Sequence, residues 1–192
     1  MPMTQAVLTA IGPDRPGRVE DLSRFIFEHG GNIETSRMLN LGGHFAMMVI
    51  VGGSDDAIAA IERHLPAFAD GAQLACRILP VLADAATRGN WKLISRGKDR
   101  AGALHQVSHL LRSLAVNIEG VNSRVTPGGE TAAGEFELEM LLTVPTHVPV
   151  SKLREYVGHL WSDQPIAWEL VEASPSAAPA SAPPPAGAAG PA

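Results

Sequence analysis

Gly12-Pro13-Asp14-Arg15-Pro16-Gly17 returns eighty-five residues later as Gly97-Lys98-Asp99-Arg100-Ala101-Gly102. Sliding the chain by that interval aligns Gln5–Glu34 with Asn90–Glu119 without a gap. Nine of the thirty aligned positions are identical: Leu8/Leu93, Gly12/Gly97, Asp14/Asp99, Arg15/Arg100, Gly17/Gly102, Ser23/Ser108, Asn32/Asn117, Ile33/Ile118 and Glu34/Glu119. They cluster in Gly-x-Asp-Arg-x-Gly and in Asn-Ile-Glu. Repetition at a fixed interval marks a duplicated structural unit.

Working outward from the motif, each copy opens with a short strand, Ala6–Ile11 and Trp91–Ser95. A helix follows the turn, its packed face set by Val19, Leu22, Phe25 and Ile26 in the first copy and by Leu104, Val107, Leu110 and Leu111 in the second. Gly30-Gly31 ends the first helix, because glycine accepts a left-handed C-cap. The second copy has Ala115-Val116 there, so its helix is expected to stop differently. Two strands come next: Thr35–Leu41 and His44–Val51 around a Gly42-Gly43 hairpin, then Val121–Thr126 and Glu135–Val144 around the longer loop 127–134. Phe136, Leu138, Met140 and Leu142 alternate with more polar neighbours, the mark of a sheet with one buried face.

A second helix is capped by Ser54 or Asp55 in the first copy and starts at Ser151 in the other, with stripes Ile58, Ile61, Leu65 and Leu153, Val157, Leu160. Gln73–Val81 and Ile166–Val171 close the units. The reading is α+β: two tandem ferredoxin-like βαββαβ units, antiparallel sheets with helices on one face. The expected boundaries are 1–83 and 90–173 for the units, 84–89 for a linker, and 174–192 for a disordered tail of Ala, Pro, Ser and Gly.

Composition removes several classes of function. Fifteen Lys plus Arg against twenty Asp plus Glu give a net charge of −5, with no basic cluster. Direct nucleic-acid binding, which needs a basic patch, is not expected. The longest purely apolar run, Phe45–Val51, is seven residues, against about 20 for a membrane span. No secretory leader is legible in Met1–Gln5. With Cys76 alone, no disulfide or paired-cysteine metal site forms, and a reducing cytoplasm is the expected compartment.

The motif itself lies between a strand and a helix, where free N–H groups suit a carboxylate or phosphate. Two readings of the turn stand together. In one, Asp14 caps the helix and Pro16 preorganises its first turn; in the other, the turn holds a ligand. The spacing from Gly12 to Gly17 imitates a phosphate-binding loop, but Arg18-Val19 and Ala103-Leu104 replace the required Lys and Ser/Thr, so nucleotide hydrolysis is rejected. Asn32 and Asn117 read as turn residues bonding their own backbone, Glu34 and Glu119 as solvated strand-end charges, Arg15 and Arg100 as surface or partner contacts.

His105 and His109 are four apart on a helix, but Gln106 follows His105 and both fall on the solvated face. Cys76 reads as a small core residue, and Glu137 and Glu139 as solvent-side neighbours on one strand face. The chain offers no catalytic constellation, and neither an enzyme nor a cofactor is expected.

Asp14-Arg15-Pro16-Gly17 and Asn32-Ile33-Glu34 within a βαββαβ unit resemble the ACT domain, a family of small regulatory modules many of which bind amino acids. The resemblance covers two copies across Met3–Glu172. Asn32–Met38 followed by Leu41-Gly42-Gly43-His44-Phe45 is similar to the glycine cleavage system transcriptional repressor group. That resemblance implies a non-enzymatic regulator that senses a small amino acid, glycine being suspected, and acts on a DNA-binding activator through protein contact. It also implies ligands between ACT units, at Asp14, Arg15, Pro16, Gly17 and Asn32 in one copy and Asp99, Arg100, Gly102 and Asn117 in the other. Backbone N–H groups near Gly17 or Gly102 would hold a carboxylate and the Asn amide the opposite end. Ala101 departs from the pattern's proline. A homodimer is compatible with this reading.

Other readings are a ligand-independent interaction module regulating a metabolic enzyme, the regulatory remnant of a formyltetrahydrofolate deformylase, and an RNA-recognition fold. The deformylase lacks a catalytic domain here, since Trp91 begins a second copy instead. The RNA-binding fold lacks strand aromatics beyond Phe45.

Overall fold

The computed structural model describes residues 4–81, 90–126 and 134–173. The expected linker, the expected tail and most of the loop 127–134 lie outside the described residues. The chain divides into two compact units, Met1–Ala85 and Ala86–Ala192.

The first unit runs β1 (Thr4–Pro13), α1 (Arg18–Glu28), β2 (Asn32–Leu41), β3 (His44–Gly53), α2 (Asp55–Ala72) and β4 (Ala75–Pro80). Its antiparallel sheet has the order β2-β3-β1-β4. The second repeats the plan with β5 (Trp91–Lys98), α3 (Ala103–Ser113), β6 (Asn117–Thr126), β7 (Glu135–Thr143), α4 (Val150–Trp161) and β8 (Ile166–Glu172), ordered β6-β7-β5-β8. These are two ferredoxin-like α+β units, as the sequence predicts.

Alternation along each strand sends one set of side chains to a core beneath the helices. Leu8, Phe45, Val49 and Val51 meet Leu22, Ile26 and Ile61 in the first unit. In the second, Leu93, Phe136, Leu138, Met140 and Leu142 meet Val107, Leu111, Leu153 and Val157. Ser54 caps α2, its hydroxyl accepting from the Ala57 N–H at 3.2 Å.

Three expectations need correction. Val19 and Leu104 are not core residues but exposed, and the buried positions are one residue earlier, at Arg18 and Ala103. The face that repeats as Arg18, Leu22, Phe25 and Ile26 keeps helical period and simply begins at the first helical residue. The second helix does not stop differently. Gly30 donates to Phe27 O and Gly31 to Ile26 O; Ala115 donates to Arg112 O and Val116 to Leu111 O. Gly30 has φ 80° and Ala115 φ 54°, so an alanine occupies the left-handed position that glycine occupies in the first copy. Finally, Asp14 caps nothing: the N-cap residues are Gly17 and Gly102, and neither helix has a side-chain cap.

The repeated residues acquire reasons. A Cβ on Gly12 would meet Gln73 O at 2.5 Å, and on Gly97 Pro165 O at 2.4 Å, so the segment leading into the last strand of each unit approaches too closely for any side chain. The Asn-Ile-Glu motif encodes a β-bulge. Pairing with the neighbouring strand slips between Ile33 and Thr35 and between Ile118 and Gly120, leaving Glu34 and Glu119 as the extra residues.

Candidate functional site

Gly17 and Gly102 both sit at φ 88°, a left-handed conformation that turns the chain from strand into helix within four residues. The backbone N–H groups of Arg18, Val19 and Glu20 then open the helix with no intrahelical partner. Around that end lies a cleft of about 530 Å³ lined by Asp14, Arg15, Gly17, Arg18, Val19, Glu20, Ser23, Met38 and Phe45. Helix α1 forms one wall and strands β2 and β3 the other.

Its electrostatics are mixed. The Arg15 guanidinium pairs with Asp21 at 2.7 Å, and Asp14 accepts from the Asn40 amide. The Asp14 N–H donates to Gly43 O at 2.9 Å, fastening the turn to the hairpin tip. Arg18 is 3% exposed and has no carboxylate partner in the described bonds. Its Nε donates to Pro13 O at 3.0 Å and its Nη1 to Ala72 O, the carbonyl at the end of α2. Helix carbonyl ends carry partial negative charge, so the buried cation is compensated by dipoles rather than an anion. Sequence spacing signalled neither Arg18 nor Ser23 and Met38 as cleft residues; Ser23 had one clue, its identity with Ser108.

Asn32 lies elsewhere. It pairs with Gly52, whereas the turn begins where Pro13 pairs with His44. Eight residues of β3 separate those rungs, about 27 Å at roughly 3.4 Å per residue. A single amino acid therefore cannot touch both within one unit. Asn117 likewise stands at the far end of α3, in a hollow of about 370 Å³ with Ser108, Arg112, Ala115, Val116 and Ile118. The Asn117 amide donates to Glu119 Oε1 at 2.7 Å, which corrects the reading of a backbone-bonded turn residue. Glu119 also accepts from Thr143, so it is half-buried rather than a free strand-end charge.

Asp99, Arg100 and Gly102 repeat the turn geometry, with the Asp99 N–H donating to Gly134 O at 2.7 Å. Ala101 and Ala103 stand where the first unit has Pro16 and Arg18. The first turn of α3 holds no acidic residue, whereas α1 has Glu20 and Asp21. Pro16 borders the first cleft without lining it.

His105 and His109 are exposed, and Cys76 is half-buried, with burial raising its thiol pKa. Glu137 bonds Arg124 at 2.7 Å and Glu139 bonds Lys92 at 2.8 Å. Among the described residues no group of three or more His, Cys, Asp or Glu side chains is placed to hold a metal, and no helix is long and apolar enough to cross a membrane.

Residues 4–78, which carry the turn, the cleft and the bulge, match the ACT domain family. The match spans the first unit. The second repeats its motif, strand order and bulge. Over 154 residues the chain is 28% identical to the glycine cleavage system transcriptional repressor of Escherichia coli (strain K12), covering 78% of this chain and 80% of that protein. A crystal structure of an unknown protein from Galdieria sulphuraria superposes with a TM-score of 0.75 at 22% identity, over 90% of this chain and all of the other. Another, provisionally named a glycine cleavage system transcriptional repressor, gives 0.69 at 18% identity over the same shares. At those identities the two structures establish a shared fold and nothing further.

Proposed function

We propose that the protein is a non-enzymatic regulator that senses a small amino acid at its ACT turns and modulates a DNA-binding transcriptional activator through protein contact. The observation carrying this reading is the cleft at the start of α1. Free N–H groups suit a carboxylate, Asp14 suits an ammonium group, and Val19 and Met38 offer apolar wall, so an α-amino acid zwitterion has a counterpart for each part. A plain anion suits the α1 end less well, because Glu20 and Asp21 oppose it.

Asp14, Arg15, Pro16 and Gly17 form the proposed first site, and Asp99, Arg100 and Gly102 its counterpart. Asn32 and Asn117 join a ligand only when it is held by a turn from a different unit, because each lies about eight strand residues, roughly 27 Å, from its own. The relationship to the Escherichia coli repressor supports glycine as the first amino acid to test and a transcriptional activator as the first partner. Coupling between ligand and partner is reciprocal, so the partner must change amino-acid affinity by the factor by which the amino acid changes partner affinity.

The test is isothermal titration calorimetry with glycine, acetate and methylamine, then the remaining amino acids. Selective heat for an amino acid, with neither acetate nor methylamine binding comparably, is the expected result. Absence of binding by all twenty amino acids would replace this reading with the ligand-independent interaction module.

A further inference from the structure

Two histidines meet across the helices of the first unit, one from each. His29 is the residue at which α1 ends, and His64 lies midway along α2. Their ring centroids are 4.8 Å apart, with the planes inclined at 44°. Phe25 lies 4.6 Å from His29 and stacks on Phe68 at 4.3 Å, so the pair stands on rings that belong to the core or pack against it. His64 is exposed and His29 half-buried, which leaves the pair open to solvent.

The hydrogen bonding of His29 sets its tautomer. Its Nδ1 lies 2.8 Å from the Phe25 carbonyl oxygen. A carbonyl only accepts, so Nδ1 carries the proton and Nε2 of the neutral ring keeps its lone pair. An imidazole that gives one N–H to a backbone carbonyl has its other nitrogen prepared as a metal ligand. The spacing meets the same requirement. A zinc–nitrogen bond of about 2.0–2.1 Å, added to about 1.1 Å from ring nitrogen to ring centre, puts an ion about 3.2 Å from each centroid. Two rings sharing one ion at about 90–110° are then about 4.5–5.2 Å apart. The separation of 4.8 Å between His29 and His64 falls inside that range, and that of 6.3 Å between His105 and His109 falls outside it.

Packing alone does not call for imidazoles at these positions. The eighty-five-residue interval places Leu114 where the first unit has His29. The buried triplet Ala57, Ile61, Leu65 of α2 matches Leu153, Val157, Trp161 of α4, which places Leu160 where the first unit has His64. Both leucines pack against the second core.

We infer that His29 and His64 form a site for a divalent transition-metal ion, which clips the end of α1 to the middle of α2. Imidazole nitrogen suits Zn²⁺, Ni²⁺ and Cu²⁺, whereas Mg²⁺ and Ca²⁺ take oxygen ligands. Among the described residues no third His, Cys, Asp or Glu joins the pair, so the ion has two protein ligands, completes its shell with water and exchanges readily. An ion that binds only the folded unit stabilises it. The site lies at the opposite end of α1 from the amino-acid cleft, about 16 Å along the helix, so the two readings stand or fall separately.

Calorimetric titration of the full chain, free of any affinity tag, with Zn²⁺, Ni²⁺ and Mg²⁺ tests the site. Wild type is expected to bind one Zn²⁺ or one Ni²⁺ at its tightest site and to ignore Mg²⁺. His29→Leu and His64→Gln should each weaken that binding at least tenfold, and His105→Gln should leave it unchanged. His64→Gln alters an exposed side chain and covers the case in which His29→Leu does not fold. In long-range proton–nitrogen NMR, Zn²⁺ should shift Nε2 of His29 while Nδ1 keeps its proton, a response that a packing role would not give. A folded wild-type chain that takes up neither Zn²⁺ nor Ni²⁺ at millimolar concentration overturns the proposal. Binding that survives His64→Gln undiminished, or that falls in His105→Gln instead, also overturns it, because the ion then sits elsewhere.

Discussion

The first turns of α1 and α3 have the same backbone and different chemistry. Gly17 and Gly102 share φ 88°, and Asp21 and Gln106 each donate a backbone N–H back to that glycine's carbonyl. Yet the next residue is a buried arginine in one unit and a buried alanine in the other. Arg18 ties the end of β1 to the end of α2 through Pro13 O and Ala72 O; Ala103 ties nothing. Duplication preserved the residues that shape the chain, and the two copies diverged where side chains line the cleft or meet a neighbour. The helix-free faces show the same pattern, with Leu39, Ala46 and Ile11 standing where Arg124, Glu137 and Arg96 form ion pairs.

The strongest challenge to the shared backbone is a side chain at the closest approach. Gly12→Val and Gly97→Val should each destabilise their own unit by about 3 kcal/mol or more, since the added Cβ meets a backbone carbonyl that cannot rotate away. Denaturant unfolding, followed by tryptophan fluorescence for the second unit and by exchange of backbone amides for the first, measures both. A mild effect in one unit would show that the close approach is not common to both.

Arg18→Ala gives the first unit the residue of the second. Loss of two part-buried hydrogen bonds from a charged donor should cost about 2–3 kcal/mol. Ala103→Arg should destabilise as well, because Ala103 is 3% exposed and a guanidinium there must displace packed neighbours. Thermal unfolding of both variants decides whether the arginine is a device of one unit alone.

A smaller effect is expected at the helix ends. Ala115→Gly should stabilise by about 0.5–1 kcal/mol by relieving a left-handed alanine, and Gly30→Ala should destabilise by about 1 kcal/mol. These signs, read from paired thermal melts, would break the equivalence of the two C-caps if they were reversed.

The smallest is electrostatic. The Arg124 hydrogen bond and the charges of Arg124 and Arg96 hold the Glu137 carboxyl below the ordinary glutamate range. A depressed carboxylate pKa contributes stability that is present above the unfolded-state value and lost as pH falls through the folded one. On an exposed strand that contribution is slight, and salt screens it. Carbon-detected NMR titration should place Glu137 below an unperturbed glutamate, and Arg124→Met should move it upward. The first unit has no counterpart, since Ala46 occupies the matched position.

Much of this was legible in the chain. Helices and strands followed from periodicity, and the duplication was visible in nine identities. Repetition also marked the turn that builds the cleft. What escaped the sequence depended on tertiary partners. Nothing in the sequence marks Arg18 as buried, because its partners Pro13 O and Ala72 O, the latter fifty-four residues away, are brought to it only by the fold. Val19 reads as core because its side chain is apolar and in phase, but it faces the cleft instead. Ala115 reads as a different helix stop because a left-handed alanine has no composition signal. Asn32 and Gly17 read as one site because they share a motif, and only strand register shows the length of β3 between them.

The central claim is that the start of α1 receives an amino acid, and the duplication supplies its internal control. Val19 and Leu104 occupy equivalent exposed positions one residue into their helices, and Val19 lines the cleft. The decisive measurement is the thermal midpoint of the first unit, with and without the best-binding amino acid, in wild type, Val19→Trp and Leu104→Trp. Ligand at about 100 times its dissociation constant should add roughly 2.7 kcal/mol, or several degrees at about 2–4 °C per kcal/mol. The account predicts that Val19→Trp abolishes the shift and Leu104→Trp preserves it. A shift that survives Val19→Trp undiminished would contradict the account.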